Sequence, residues 1–191
     1  MSASPIMVVL DTALGAITVA LDADRAPLTV ANFLRYLDGG FYGGSYGSGG
    51  DTGGESGREA GGRFHRTVTP ENQPDNPVRI EVIQAGPNPE RAAETGPPLT
   101  LERTTVTGLA HRDGTISMAR FAPDSAVADF FICIGDQPEL DFGGARYPDG
   151  QGFAAFGQVS DGMDVVRRIQ RAHAEAQRLT PPIAFRAARR G

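Results

Sequence analysis

Short β-type runs recur along most of this chain, and a helical period near 3.6 shows at only two places, one toward each end. Residues 7–10 and 16–21 are β-rich on either side of Leu14-Gly15, which reads as an opening hairpin with Gly15 in a left-handed backbone position. Val30, Phe33, Leu34 and Leu37 then fall at i, i+3, i+4 and i+7, one apolar face of a helix. Pro27 and Thr29 suit its first turn and Gly39 its stop. Further runs at 80–84, 99–102, 106–110, 115–120, 129–134 and 153–159 read as strands, as does 64–66. Helical spacing returns at Val165, Ile169, Ala172 and Ala176, after Ser160-Asp161 as an N-cap, and 183–187 adds a last strand after a Pro181-Pro182 stop. With about eight strands and no alternation of strand and helix, the pattern argues against a parallel α/β sheet. The pattern fits a mainly β fold, a closed eight-stranded antiparallel barrel with one helix plugging each open end.

Two stretches interrupt the pattern. Residues 39–62 hold 12 of the 25 glycines, and so long a glycine-rich segment is costly to order. It reads as a mobile surface insertion at about 43–62. Residues 70–77 are rich in Pro and Asn and mark a second insertion, at about 67–79. The length of 191 residues fits a single domain, 1–191, able to bury roughly 70% of its unfolded surface.

Composition removes several kinds of chemistry. Cys133 is the one cysteine, so neither an intrachain disulfide nor a thiolate metal cluster is available. The net charge of −5 lacks the basic footprint of a nucleic-acid binder. No apolar run approaches the ~20 residues of a membrane span. The start, Met1-Ser-Ala-Ser-Pro5, has no basic n-region or apolar h-region. It reads as cytoplasmic, or as periplasmic if a signal peptide has been removed. All 18 basic residues are arginine, which excludes Schiff-base and P-loop lysine chemistry. Any working cation is a guanidinium, acting by charge and hydrogen bonds rather than as a base.

Gly43-Gly-Ser-Tyr-Gly47 matches the G-x-S-x-G pattern of serine hydrolases. The pattern needs a strand before it and a helix after it, and inside a glycine-rich run it arises from composition. His65, His111 and His173 show no metal-ligand spacing, so no metal or cofactor is expected. His173 reads as a surface residue of the second helix and His111 as part of the turn His111-Arg112-Asp113-Gly114. Phe64-His65-Arg66 differs: an aromatic, an imidazole and a guanidinium in a row, bracketed by loops. Val82, Gln84, Phe131, Leu140 and Phe153 on later segments could form an apolar and amide wall beside Arg66.

In this order the motifs resemble the cyclophilin family of peptidyl-prolyl cis-trans isomerases, especially its bacterial branch. Phe64-His65-Arg66 matches the family's strand with the catalytic arginine, and Gln84 its glutamine on the next strand. Ser117-Met118-Ala119 and Phe130-Phe131-Ile132 match two further runs, with the family's spacing between them. Leu140 before Asp141 matches the pocket leucine, and Phe153 stands where the family has His or Tyr. Arg120, Asn32-Phe33, Phe156-Gly157 and Gly162-Met163 extend the match, which covers most of 7–42, 63–66, 80–86 and 99–170. There are departures: Glu81 where an apolar pocket residue is common, Val82 for a larger one, Asp129 for a glutamine, and Glu139 for an aromatic that contacts cyclosporin.

The resemblance implies rotation about X-Pro bonds in peptides and in unfolded or folding proteins, without a cofactor. Arg66 is then the catalytic residue. Phe64, His65, Val82, Gln84, Ala119, Arg120, Phe131, Leu140 and Phe153 form the substrate site. A monomer with weak cyclosporin binding is expected. The competing reading is a catalytically weak chaperone or scaffold module that only binds proline segments.

Overall fold

A computed structural model describes residues 4–43 and 61–191. The G-x-S-x-G serine, Ser45, and most of the glycine-rich stretch lie outside the described residues. Strand β1 (Ile6–Thr12) turns into β2 (Gly15–Leu21) with Val8 opposite Val19 and Leu10 opposite Ile17. Gly15 has a φ of +126°, which a side chain disfavours, and a Cβ there would stand 2.9 Å from Val165. Helix α1 (Pro27–Asp38) follows, with Pro27 in its first turn and Val30, Phe33, Leu34 and Leu37 buried.

The remaining strands and α-helices are β3 (Arg63–Val68), β4 (Val82–Gly86), α2 (Thr104–Thr107), β5 (Thr115–Met118), β6 (Phe130–Cys133), β7 (Ala155–Asp161), α3 (Met163–Gln170), β8 (Ala174–Glu175) and β9 (Arg178–Arg190). Strand neighbours run β1-β2-β7-β5-β6-β4-β3-β9, and β1 pairs with β9. All pairings are antiparallel. The eight strands therefore close into a barrel that leaves no free edge, with β8 joined to β9 as a short hairpin.

Alternation along the strands separates two apolar clusters. Ile83, Ala85, Ile116, Met118, Phe130 and Ile132 face the barrel interior, where α1 and α3 also bury their apolar faces. Phe33 packs on Tyr42, Phe130 and Phe156 at 5.1–5.4 Å between ring centroids. Each such ring, fully buried, stabilises the fold by about 1.5–3 kcal/mol. The opposite face of the same strands carries Val68, Val82, Phe131 and Cys133, which pack with Ile80, Leu140 and Phe153. Burial pushes the Cys133 thiol well up, so it stays protonated and acts as a small apolar side chain.

Four expectations are corrected. Residues 106–110 do not form a strand: Thr104–Thr107 is one helical turn, closed by Gly108 at a φ of +70°. Leu99 makes only an isolated bridge to Ala126. β-Branched runs in these segments read as strands, but both edges of β5 are already occupied by β6 and β7. The second helix starts after Gly162, at a φ of +92°, and ends at Gln170. Ala172 and Ala176 fall beyond it, and His173 precedes β8. Pro181 and Pro182 lie inside β9 rather than stopping the chain before it. They are tolerated because β9 meets β3 at Arg178, Ile183 and Ala184, leaving no ladder bond to β3 between them.

Candidate active site

Strand register assembles the site. Arg66 lies opposite Gln84, Gln84 opposite Phe131, and Phe131 opposite Ser117, one line across four strands. A register shift between Phe64 and Arg66 breaks the period of two that would put both side chains on one face. Phe64 turns into the barrel, fully buried against Phe185 and Phe130 at 5.1 and 6.4 Å. Arg66 turns outward.

On that outer face is a cavity of about 650 Å³, within the usual range for a ligand site. Arg66, Val82, Gln84, Ala119, Arg120, Phe131, Leu140 and Phe153 all line it. Phe64 and His65 do not. Phe64 belongs to the barrel core, and His65 Nε2 lies 3.2 Å from Asp129 Oδ2, so these two support the walls rather than form them. Glu81 is also absent from the cavity; it points the other way and accepts a hydrogen bond from Gln170 Nε2 of α3 at 2.8 Å. Asp129 lines the cavity and accepts from Gln84 Nε2 at 3.1 Å.

Arg66 is half-buried and held by neutral amides. Its Nη1 donates to Gln84 Oε1 at 3.0 Å, and its Nε and Nη2 donate to Gln177 Oε1 at 2.9 and 2.6 Å. Three of its five N–H groups are thus used, and the other two have no partner among the described residues. Burial lowers its proton affinity, yet a guanidinium stays charged at any working pH. Arg120 is held differently. Its side chain is 1% exposed and forms a two-pronged ion pair with Asp149 at 2.7 and 2.8 Å. Nε donates to Gly152 O at 2.7 Å, and the guanidinium lies over the Phe153 and Tyr147 rings at 4.8 and 4.9 Å. It props one wall of the cavity with its charge already met.

Behind the floor sits a network that the sequence hid. His111, 1% exposed, stacks on Phe131 at 6.0 Å. Its Nδ1 lies 2.6 Å from Asp141 Oδ1 and its Nε2 2.9 Å from Ser117 Oγ. Burial alone would raise the Asp141 carboxyl, but side-chain and backbone hydrogen bonds from His111 hold it below its ordinary value. The order Ser, His, Asp is that of a hydrolytic triad, but Ser117 is completely buried and no substrate reaches it. The network instead fixes the ring on which a ligand would rest. His111, read as a turn residue, gave no pattern cue, because its partners lie 6 and 30 residues away. Gln177 was missed for the same reason; it reaches Arg66 across 111 residues. Among the described residues no group of three or more His, Cys, Asp or Glu could hold a metal ion.

Residues 7–189 match the family model of cyclophilin type peptidyl-prolyl cis-trans isomerases. Peptidyl-prolyl cis-trans isomerase A of Dickeya dadantii is 33% identical over 171 residues, 88% of this chain and 73% of that protein. Peptidyl-prolyl cis-trans isomerase B of Escherichia coli is 33% identical over 165 residues, 86% of this chain and 84% of that protein. Among solved structures, a cyclophilin type peptidyl-prolyl cis-trans isomerase of Cryptosporidium parvum superposes with a TM-score of 0.71 at 18% identity, over 98% of each chain. The same protein in the presence of the dipeptide Ala-Pro gives 0.70 at 18% identity, over 97% of this chain and 98% of that one.

Proposed function

The chain belongs to the cyclophilin-type peptidyl-prolyl cis-trans isomerases, and we propose that it turns X-Pro bonds in the cavity beside Arg66, with that residue as the catalytic group. Rotation about an X-Pro bond is slow because amide resonance must be broken, against a barrier of about 18–20 kcal/mol. No bond is made or cut, so the protein has only to grip the ring and favour the twisted amide. Val82, Phe131, Leu140 and Phe153 hold the proline ring by apolar contact. Gln84 and the backbone at Ala119 and Arg120 orient the flanking peptide. As conjugation is lost, the prolyl nitrogen regains a lone pair and the carbonyl oxygen changes its charge. The two unused N–H groups of Arg66 donate to whichever of these atoms they meet, stabilising charge that develops only in the transition state.

The observation that carries this reading is the pairing of Arg66 with amides. Gln84 and Gln177 aim the guanidinium without neutralising it, so its charge remains for the substrate. The same reading takes the protein as a monomer acting on proline-containing peptides and folding chains, one domain with insertions at about 43–62 and 67–79. Weak cyclosporin binding follows from the exposed carboxylate of Glu139, which accepts from Ala145 N at 2.8 Å, in place of an aromatic contact.

Exchange NMR on a short X-Pro peptide tests it. Wild type accelerates exchange, and Arg66→Ala loses about a hundredfold to a thousandfold in kcat/KM, the usual cost of one transition-state donor. Peptide resonances that shift on binding without faster exchange would leave only a recognition site. Equal acceleration by both proteins would remove Arg66 from the mechanism.

A further inference from the structure

A third guanidinium, that of Arg146, lines the cavity beside those of Arg66 and Arg120. Arg146 sits on the loop between Leu140 and Phe153 and reaches across to the segment that follows β3. Its Nη1 donates to Gln73 Oε1 at 2.7 Å and to Val78 O at 2.6 Å. Gln73 is 3% exposed and locked in place: its Nε2 donates to Thr69 O and Ile80 O, both at 2.7 Å, and its Oε1 accepts from Ile80 N. Arg146 is therefore anchored, like Arg66, by neutral acceptors.

Among the described residues the lining of the cavity holds three guanidiniums, Arg66, Arg120 and Arg146, and one carboxylate, Asp129. Arg120 is matched by Asp149. Asp129 is engaged by Gln84 and lies against His65. Arg66 and Arg146 are left with no carboxylate partner among the described residues. Burial, and after it the charge of Arg66 nearby, lowers the proton affinity of Arg146. Two like charges withdrawn from water into one cavity repel each other, and an anion entering between them relieves that repulsion. The chain as a whole is acidic, at −5, so this cationic pair is a local arrangement and not a property of the surface.

We infer that the cavity selects X-Pro segments that carry an anionic side chain, carboxylate or phosphate, beside the proline, and that Arg146 is the contact that reads it. The inference rests on the isomerase reading above: Arg66 meets the twisting amide, and Arg146 meets the neighbouring side chain. Arg146 touches no reacting atom; it sets which peptides are held.

Paired peptides test this by exchange NMR, with Glu against its neutral isostere Gln placed first before the proline and then after it. A second pair sets phosphoserine against serine. In wild type the acidic member is favoured by about twofold to fivefold in kcat/KM at one position or the other, the range for a partly exposed charge pair, and the preference shrinks as salt rises. The two pairs tell carboxylate from phosphate. The quantity read is the acid-to-neutral ratio within one protein, so a general loss of activity cancels. Arg146→Gln brings the ratio close to one, while Arg146→Lys keeps part of it. A wild-type ratio of one at both positions, or an undiminished ratio in Arg146→Gln, overturns the inference. If wild type accelerates neither peptide, the isomerase reading has failed instead, and the same ratios are then read from the dissociation constants of chemical-shift titrations.

Discussion

Arg66 and Arg120 line one cavity, yet the first leans on Gln84 and Gln177 while the second is clamped by Asp149. The Arg120 side is a closed ion pair, 1% exposed at the guanidinium, roofed by two aromatic rings. Its electrostatics are complete before any ligand arrives. The Arg66 side is half-open, and its amide partners position a charge without meeting it. A buried charge with a carboxylate partner serves the wall; one with amide partners remains available to a substrate. The same type of residue in the same pocket thus takes different work according to the charge of its neighbours.

Truncating each arginine in turn and measuring stability as well as rate separates the two sides most strongly. Arg120→Ala strips the carboxylate of Asp149 of its partner and two rings of their support. We expect a loss of about 3 kcal/mol in urea unfolding, at the low end for a broken buried pair because Asp149 is 24% exposed. Arg66→Ala, in the same titration, should shift stability by less than about 1 kcal/mol while abolishing most turnover. Similar unfolding midpoints for the two variants would erase the distinction.

A finer test changes only the charge of a partner. Gln177→Glu keeps an oxygen near Arg66 Nε and Nη2 but makes it a carboxylate. The expected result is a roughly tenfold fall in kcat/KM, worth about 1.4 kcal/mol, with the fold intact by circular dichroism. A variant as active as wild type would show that neutrality of the partner is immaterial.

The smallest effect is in pH. Hydrogen bonds from Arg120, ahead of the other influences on it, hold the Asp149 carboxyl below its ordinary value in the folded protein. The unfolded chain then binds more protons in that range, so stability falls as pH drops through it and is fully present above. Asp149→Asn lacks this contribution. Its stability deficit relative to wild type should be widest at neutral pH and should narrow as urea midpoints are followed down into the carboxylate range. A deficit independent of pH would mean that the pair contributes by packing alone. No such acid limb attaches to the Arg66 side, whose amide partners do not titrate.

The barrel strands and α1 could be read from alternation and from the i, i+3, i+4 spacing, since those periods follow from backbone geometry alone. The floor and the amide of the cavity were legible too, because Val82, Gln84 and Phe131 sit on strands where alternation sets the face. What escaped lay in loops. Arg146, Tyr147 and Asp149 belong to a connection with no period, and Gln177 and His111 act through partners that only the closed barrel brings near. Phe64 misled for a local reason: one register shift in β3 sent it inward while Arg66 went out.

From the order of residues alone follow the period of each run, the chemistry present at Phe64-His65-Arg66 and Gln84, and, through lysine's absence, that any cation doing chemistry here is a guanidinium. Which arginine meets a carboxylate and which meets amides was settled by the closed barrel. That choice depends on side chains meeting from 18, 29 and 111 residues apart, and strand closure, not local pattern, is what brings them within hydrogen-bonding distance.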